Sequence, residues 1–508
     1  RVVPIRAGGG RWETEQRLPE RIECVRWTVR EEGGREHVGE IDVGVCAVVA
    51  TAEIDGVRHR AMRLAFELAL PVGYHALSVS DPSQKSPIGL SLSKPGDVAP
   101  TGPSTGSGRT EKENGPPDPF GLSLSKPPRV LSSSKELSLS KPSGSASTGP
   151  STSSGRTGGW LSANGEKRTL LITAPAHCWR PPALQAEGRV WGPALQLYSL
   201  RSERNWGIGD FGDLAPLIEQ WATRGAGIVG LNPLHALFAH NPAHASPYSP
   251  SSRLWLNTIY LDVEAIDDFR ECEPAQRHVR SAAFQQRLER LRQAELVDYP
   301  GASAAKHELL QQLYAHFREQ HLAADSPRAK EFRSFQADHG DSLRLHATFE
   351  ALQAQFHAAD ASVWGWPVWP ESCRDPNSPA VRRFQAEQIE RIEYFEYLQW
   401  QADRQLAALS RRCRDRGLAV GLYLDLAVSV DRAGSDTWGH AALYAQGASV
   451  GAPPDAFNPA GQGWGLPPLR PDRLRTDRYA FFIETLRASM RHAGALRIDH
   501  VMGLMRLY

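Results

Sequence analysis

Gly417-Leu-Ala-Val-Gly-Leu-Tyr-Leu-Asp425 is an apolar run that ends on a carboxylate, and Ala495-Leu-Arg-Ile-Asp-His500 repeats that form further along the chain. Between them lie a Gly/Pro-rich loop and a stretch from about Asp477 to Ala493 with helical spacing. Short apolar runs of this kind are buried on both faces of a parallel sheet, which needs a crossover between successive strands. Towards the N-terminus the same form returns. Leu195-Gln-Leu-Tyr-Ser-Leu200 and Gly227-Ile-Val-Gly-Leu231 read as strands, with a helix from Phe211 to Thr223 between them. From about Asp267 to Leu409 the apolar spacing is helical, as at Phe284, Leu288, Leu291 and at Leu345, Phe349, Leu352, Phe356. That stretch is long enough to form a helical subdomain. The reading for residues 190–508 is therefore α/β, with four strand–helix units and a helical insertion at about 267–409.

Residues 1–180 read differently. Val25, Trp27 and Val29 alternate with polar residues, His75-Ala-Leu-Ser-Val79 follows the turn signal Pro71-Val-Gly73, and Arg168-Thr-Leu-Leu-Ile-Thr173 is a further strand. This is a β-rich N-terminal domain. It is interrupted at about 81–160 by a segment that repeats itself: Thr101-Gly-Pro-Ser-Thr-Gly-Ser-Gly-Arg-Thr110 returns from Thr148 to Thr157 with one change, and Leu-Ser-Leu-Ser-Lys-Pro begins at Leu90, Leu122 and Leu137. The copies are unevenly spaced and poor in large apolar residues, which excludes a solenoid and predicts disorder. The segment resembles translated intergenic repeat DNA. If the strands on its two sides are partners, it occupies a hairpin turn, a surface site where long insertions cost little.

The 508 residues suffice for about three domain-sized units. Basic and acidic residues nearly cancel, 58 against 57, so the basic excess that marks a nucleic-acid partner is missing. Six scattered cysteines without a C-x-x-C pair suit reduced thiols and exclude a zinc ribbon. No apolar run reaches the length of a membrane span, and Arg1-Val-Val-Pro-Ile5 has neither an initiator Met nor a signal core. The expectation is a soluble, cytoplasmic protein cut at its start, with no membrane partner.

Arg497 and Asp499 sit two apart on the last strand, so both project from one face at its C-terminal end. A cation beside a carboxylate favours the ionised form that a nucleophilic or charge-stabilising carboxylate needs. Taken alone, R-x-D fits a structural ion pair better. Asp425 ends its own strand, where a buried carboxylate is costly unless paired or facing a site; a cap or turn role fits it equally. The loop from Val450 to Pro468 holds five prolines, and its Phe457 and Trp464 offer flat apolar faces on which sugar rings stack, while Asp455 and Gln462 could bond hydroxyls. Aromatics pinning a loop to the core explain it as well. His235, His240 and His244 lack an acidic or cysteine companion and read as core or solvent-facing histidines rather than a metal site. Gly207-Ile-Gly209-Asp-Phe-Gly212 misses the G-x-G-x-x-G spacing of a dinucleotide loop. Neither a metal nor another cofactor is expected.

Read together, these segments closely resemble the amylomaltases, the 4-α-glucanotransferases of glycoside hydrolase family 77 in the α-amylase clan. The resemblance rests on Leu197-Tyr-Ser-Leu-Arg-Ser202 with Asn205-Trp-Gly-Ile-Gly-Asp210, on Gly230-Leu-Asn-Pro-Leu-His235 with Ser246-Pro-Tyr248, on the loop from Gly451 to Pro468, and on Leu496-Arg-Ile-Asp-His500. It covers most of Val190 to Tyr508, and the β-rich region resembles the extra domain of the longer bacterial enzymes. It implies a (β/α)₈ TIM-type barrel and transfer of α-1,4-glucan segments between malto-oligosaccharides by a retaining double displacement. Asp499 would be the nucleophile, held by Arg497 and neighboured by His500; Asp425 matches the clan's aspartate at the end of the third strand. Tyr248, Asp455, Phe457, Gln462 and Trp464 match positions lining the substrate groove. Some relatives carry an aromatic residue where this chain has Ala456, which implies weaker acceptor stacking.

In that family the general acid/base Glu and the third catalytic Asp lie on later strands, and the sequence ends nine residues past Asp499. The expectation is that only about the first half of the barrel is present, so that this chain is an inactive truncated part. Two other readings are an α-amylase-like hydrolase and a non-catalytic glucan-binding fragment or pseudogene product. Maltotriose separates them: longer oligomers mean transfer, glucose without longer products means hydrolysis, and binding without turnover means the third.

Overall fold

The computed structural model of the chain describes residues 2–54, 56–82 and 167–507. Almost all of the expected insertion at about 81–160 lies outside the described residues.

The N-terminal region builds two sheets. Strands β1 (Val2–Arg6), β2 (Arg11–Pro19), β3 (Cys24–Arg30), β4 (Glu36–Asp42), β5 (Ala47–Ile54), β6 (Val57–Glu67), β7 (Gly73–Ser80) and β8 (Lys167–Ala174) divide into the orders β1-β8-β7-β3-β4 and β2-β6-β5. Alternation decides the faces: Trp12, Thr14, Gln16 and Leu18 of β2 point inward, as do His75, Leu77 and Val79 of β7. Val25, Val29, Leu77 and Leu171 from one sheet meet Met62, Leu64 and Phe66 from the other in one core. Trp12 stacks on Phe66 with ring centroids 4.2 Å apart. The two strands beside the repeat segment pair as expected, antiparallel, from Gly73 opposite Thr173 to Val79 opposite Lys167.

The second region alternates strands and helices. Its elements are β9 (Ala194–Leu195), α1 (Phe211–Ala222), β10 (Ile228–Leu231), β11 (His235–Ala236), β12 (Ser252–Leu256), then the helices α2 (Asp267–Glu271), α3 (Glu273–Arg280), α4 (Ala282–Gln293), α5 (Tyr299–Phe317), α6 (Pro327–Ala359), α7 (Glu371–Arg374), α8 (Pro379–Glu387) and α9 (Ile389–Asp415). There follow β13 (Gly421–Leu426), α10 (Ser435–Gly439), β14 (Gly451–Ala452), β15 (Gln462–Gly463), α11 (Pro471–Thr476), α12 (Ala480–Met490) and β16 (Ala495–Ile498). Strands β16-β13-β10-β9 form one sheet in that order, all parallel. Helices α1, α5, α6 and α9 share a large core with it, including Leu214, Ile218, Leu309, Leu313, Leu398 and Leu422. No helix among the described residues is long and apolar enough to cross a membrane.

Several boundaries differ from expectation for visible reasons. The first strand stops at Leu195 because Asn232 Oδ1 takes the Leu197 N–H (2.8 Å), and Leu197–Ser199 closes a 3₁₀ turn instead. The strand expected from Gly417 starts at Gly421, since Gly417, at φ +74°, still belongs to the turn that ends α9. The final helix starts at Ala480 rather than Asp477: Asp477 Oδ2 accepts the Phe481 N–H (3.0 Å), while Arg478 and Tyr479 adopt positive φ. The glycines around Asp210 serve helix entry. Asp210 caps α1 reciprocally with Asp213, and a Cβ on Gly209 would meet the Leu197 carbonyl at 2.0 Å.

One buried acid in this core shapes the pH response. Glu350 of α6 is buried with Oε1 unpartnered, and desolvation pushes its carboxyl up to about 8 from the usual 4.5. The folded chain keeps a proton there that the unfolded chain has released. The contribution of this one group to stability is therefore greatest below about pH 4.5 and falls as pH rises towards about 8. Glu350→Gln is expected to flatten that fall and to raise stability at pH 8 by about 1–3 kcal/mol. Thermal melts of both proteins at pH 5 and pH 8 check it.

Candidate active site

The C-terminal ends of β13 and β16 place the charged groups. Register sets Asp425 directly opposite Arg497, so the two side chains stand side by side on one face. Arg497 Nη1 donates to both oxygens of Asp425 (2.9 and 2.8 Å), and Nη2 donates to Asp499 Oδ1 (2.6 Å). One guanidinium thus bridges two carboxylates. Asp425 is 8% exposed; burial raises its pKa, opposed by the bonds and charge of Arg497. Those bonds in turn hold the Arg497 guanidinium above its ordinary value. Asp499 lies just past the end of β16 rather than within it, and His500 beside it has φ +47°. A non-glycine residue in the left-handed region next to a strand-end carboxylate is the kind of strain that functional sites retain.

The Gly/Pro-rich loop comes back over this end of the sheet. Strands β14 and β15 pair antiparallel, and Trp464 beyond them meets the His500 ring edge-to-face at 5.3 Å. Gln462 Oε1 accepts the Trp464 indole N–H (3.1 Å), which orients the ring. Asp455 Oδ1 accepts the N–H groups of Phe457 (2.8 Å) and Asn458 (2.6 Å), turning the loop tip. Phe457 is 93% exposed there. Tyr248 stands exposed on the connection between β11 and β12, whose Ser249 Oγ donates to Asp431 Oδ2 (2.9 Å) on the segment after β13. Arg497, Asp425 and Asp499 are brought together by direct bonds, and Trp464, Gln462 and His500 by a second set of contacts.

Sequence reading missed what anchors the loop. Arg432 binds the carbonyls of Gln446, Ala448 (3.0 Å) and Gly465 (3.3 Å), and Ser449 Oγ accepts the Gly465 N–H (2.8 Å). An arginine that binds carbonyls leaves no acidic partner in the sequence to reveal it. Gly451 is the tight point of the hairpin, because a Cβ there would meet the Gln462 carbonyl at 1.9 Å. Gly451→Ala is expected to force β14 and β15 apart, at a cost of about 1–3 kcal/mol. Loss of the Trp464–His500 contact, read as a change in tryptophan emission with little change in far-UV circular dichroism, is the check.

Among the described residues, His235, His240 and His244 do not gather as a metal-ligand set. His235 Nε2 accepts the Ala427 N–H (3.4 Å), His244 faces Asp431 (3.7 Å), and His240 packs against His357 with burial pushing its pKa down to about 3. Asp268, Glu271 and His321 do lie close enough to share an ion. Arg328 already holds both Asp268 oxygens (2.7 Å each), and the Tyr397 hydroxyl donates to Oδ2 (2.7 Å), so that cluster is an ion-pair network.

Comparison with known proteins gives this geometry a family. The 4-alpha-glucanotransferase family of glycoside hydrolase family 77 matches residues 195–508, well over half of the chain. The chain belongs to this family. The MalQ N-terminal beta sandwich domain matches residues 1–89. Among curated proteins, the family's 4-alpha-glucanotransferase of Haemophilus influenzae is 41% identical over 344 residues, covering 67% of this chain and 49% of its own length. The Mycobacterium tuberculosis enzyme of the same name is 37% identical over 355 residues, 68% of this chain and 47% of its own length. The chain therefore spans about half the length of these relatives. The amylomaltase of Corynebacterium glutamicum superposes with a TM-score of 0.68 at 25% identity, over 100% of this chain and 56% of that one. The amylomaltase of Streptococcus agalactiae, solved with acarbose, shares the fold at 20% identity and a TM-score of 0.51, over 62% of this chain and 60% of its own.

Proposed function

We propose that this chain supplies the nucleophile side of a 4-α-glucanotransferase acting on malto-oligosaccharides, with its four parallel strands belonging to a (β/α)₈ barrel. The observation that carries it is the Arg497 guanidinium bridging Asp425 and Asp499 at the strand ends, the end at which barrel enzymes build their sites. Asp499 attacks the anomeric carbon and forms the glucosyl-enzyme; Arg497 keeps it ionised and fixes its direction. A retaining displacement sets a second carboxyl group about 5–5.5 Å away to protonate the leaving oxygen. None of the residues assigned here is that acid.

Asp425, Tyr248, His500, Gln462 and the rings of Trp464 and Phe457 bind the glucan, with Asp455 shaping the loop that carries Phe457. The same loop decides the fate of the intermediate. Water gives hydrolysis, whereas the 4-hydroxyl of a second glucan gives transfer, and an aromatic wall that favours a sugar and limits water shifts the partition. The Trp464–His500 contact, one residue from Asp499, supports this reading. The acarbose complex of the Streptococcus agalactiae relative supports a glucan-type ligand for the groove.

The test is incubation of a polypeptide carrying this chain with maltotriose, followed by product sizing. Oligomers longer than maltotriose together with glucose support the proposal; glucose and maltose without longer products identify a hydrolase.

A further inference from the structure

We propose that Arg253 is a positioning residue of this site, clamping the backbone just past β13 so that Asp425, and through it Arg497 and Asp499, is held in place. The proposal rests on the glucanotransferase reading for its purpose, and on the following geometry for its existence.

Past Leu426 the chain leaves the sheet, and the carbonyls of Ala427 and Val428 have no neighbouring strand to pair with. Arg253, on β12 and only 3% exposed, reaches both: Nη1 donates to Ala427 O (3.1 Å) and to Val428 O (3.0 Å). His235, on β11, takes a backbone donor at the same place, the Ala427 N–H. Burial and the nearby Arg253 charge push that imidazole's pKa down to about 3, so the ring is neutral near neutral pH, and the bond from Ala427 makes Nε2 the acceptor. The two residues come from paired strands and grip one peptide segment from both its polar sides.

The clamp is itself braced. Asp436 Oδ2 accepts the backbone N–H of Arg253 (2.9 Å), the Asp436 N–H bonds to Ser251 O (3.1 Å), and the Ser435 N–H bonds to Ser251 Oγ (3.0 Å). The β11–β12 hairpin and the segment 427–436 are therefore stitched into one body. Arg253 forms no ion pair among the described residues, although burying a cation without a carboxylate partner is costly. Its bonds go to main-chain oxygens two and three residues from Asp425. Arg253 and Asp425 also border the same cavity of about 200 Å³. A carboxylate whose backbone is fixed this way presents both oxygens to Arg497 in one orientation, and Arg497 passes that orientation to Asp499. This is a supporting shell behind a site.

The experiment is hydrogen exchange read by mass spectrometry on the whole chain and on Arg253→Lys and Arg253→Met, with acarbose titrated into each. Arg253→Lys keeps the charge and can bond one carbonyl; Arg253→Met loses both bonds. Expected is faster exchange at 421–430 and also at 495–499, about tenfold in Arg253→Met and less in Arg253→Lys, with α9 and the N-terminal sheets at wild-type rates. Acarbose binding weakens in step. Acceleration confined to 427–428, or spread evenly over the chain, overturns the proposal, as does unchanged exchange in both variants. Should Arg253→Met fail to fold, Arg253→Lys alone decides by the same criterion. Coupled acceleration at 495–499 in a chain that binds no acarbose keeps the clamp and sinks the glucan reading. Acarbose binding with 495–499 unaffected in the variants does the reverse.

Discussion

Asp499→Asn in a polypeptide that carries this chain is expected to lower glucan transfer by about 10⁴-fold or more, the scale on which covalent catalysis is lost with its nucleophile. The substitution is nearly isosteric, and the amide oxygen can still accept from Arg497 Nη2, which lies 2.6 Å from Oδ1 in the wild type. The side chain is about one-third exposed, so folding does not depend on its charge. What disappears is the anionic oxygen that attacks. Maltotriose conversion measured beside a thermal melt checks this: activity lost with an unchanged melting temperature is the expected pair. Transfer within tenfold of wild type would mean that Asp499 is not the nucleophile.

The second large effect is at the bridge. Arg497→Met removes all three bonds at once and leaves Asp425 buried beside Asp499 with no counter-charge. Burial already raises the Asp425 pKa against the pull of Arg497, so without Arg497 the carboxyl rises further. Two consequences follow with defined signs. Transfer is expected to fall by about 10²–10³-fold, the loss typical of removing an electrostatic anchor. Stability is expected to fall by about 1–3 kcal/mol at pH 7.5, most of it regained at acid pH. The acid recovery comes from linkage: a carboxyl whose folded pKa lies above its unfolded value near 3.8 binds its proton in the folded chain first, so its penalty grows as pH rises and vanishes as pH falls below that value. Melts of wild type and variant at pH 4.5 and 7.5 are the measurement. A melting difference independent of pH contradicts this role for Asp425. Arg497→Lys, with one point charge in place of a fork, is expected to lie between the two.

Much of this arrangement was legible before any coordinates. The alternation in β3 and β7 and the helical spacing from Phe284 onward each reflect a period that burial imposes and appear where expected, while the carboxylate-ended runs form strands with shifted ends, Asp425 within β13 and Asp499 just past β16. Local chemistry blurred the boundaries. Leu197 leaves the sheet because of an asparagine thirty-five residues away, a bond that no periodicity announces. The site divides the same way. Arg497 and Asp499 share a strand end and so share a pattern; that Arg497 would hold Asp425 more firmly than Asp499 depends on strand register, which sequence leaves open. Arg253, Arg432 and His235 were invisible as supports because their partners are main-chain groups, and every residue has those.

The pairing of Val79 with Lys167 carries a practical meaning for whoever handles this protein. Adjacent antiparallel strands stand about 5 Å apart, so a tight turn is all the geometry asks for between them. The same two ends can serve as a socket: a reporter whose own termini are close together could be seated there in place of residues 83–166, carried by the β-sandwich at a joint remote in sequence from Asp499. Such a fusion would turn the position of an accidental-looking insertion into a handle for following the protein in a living cell.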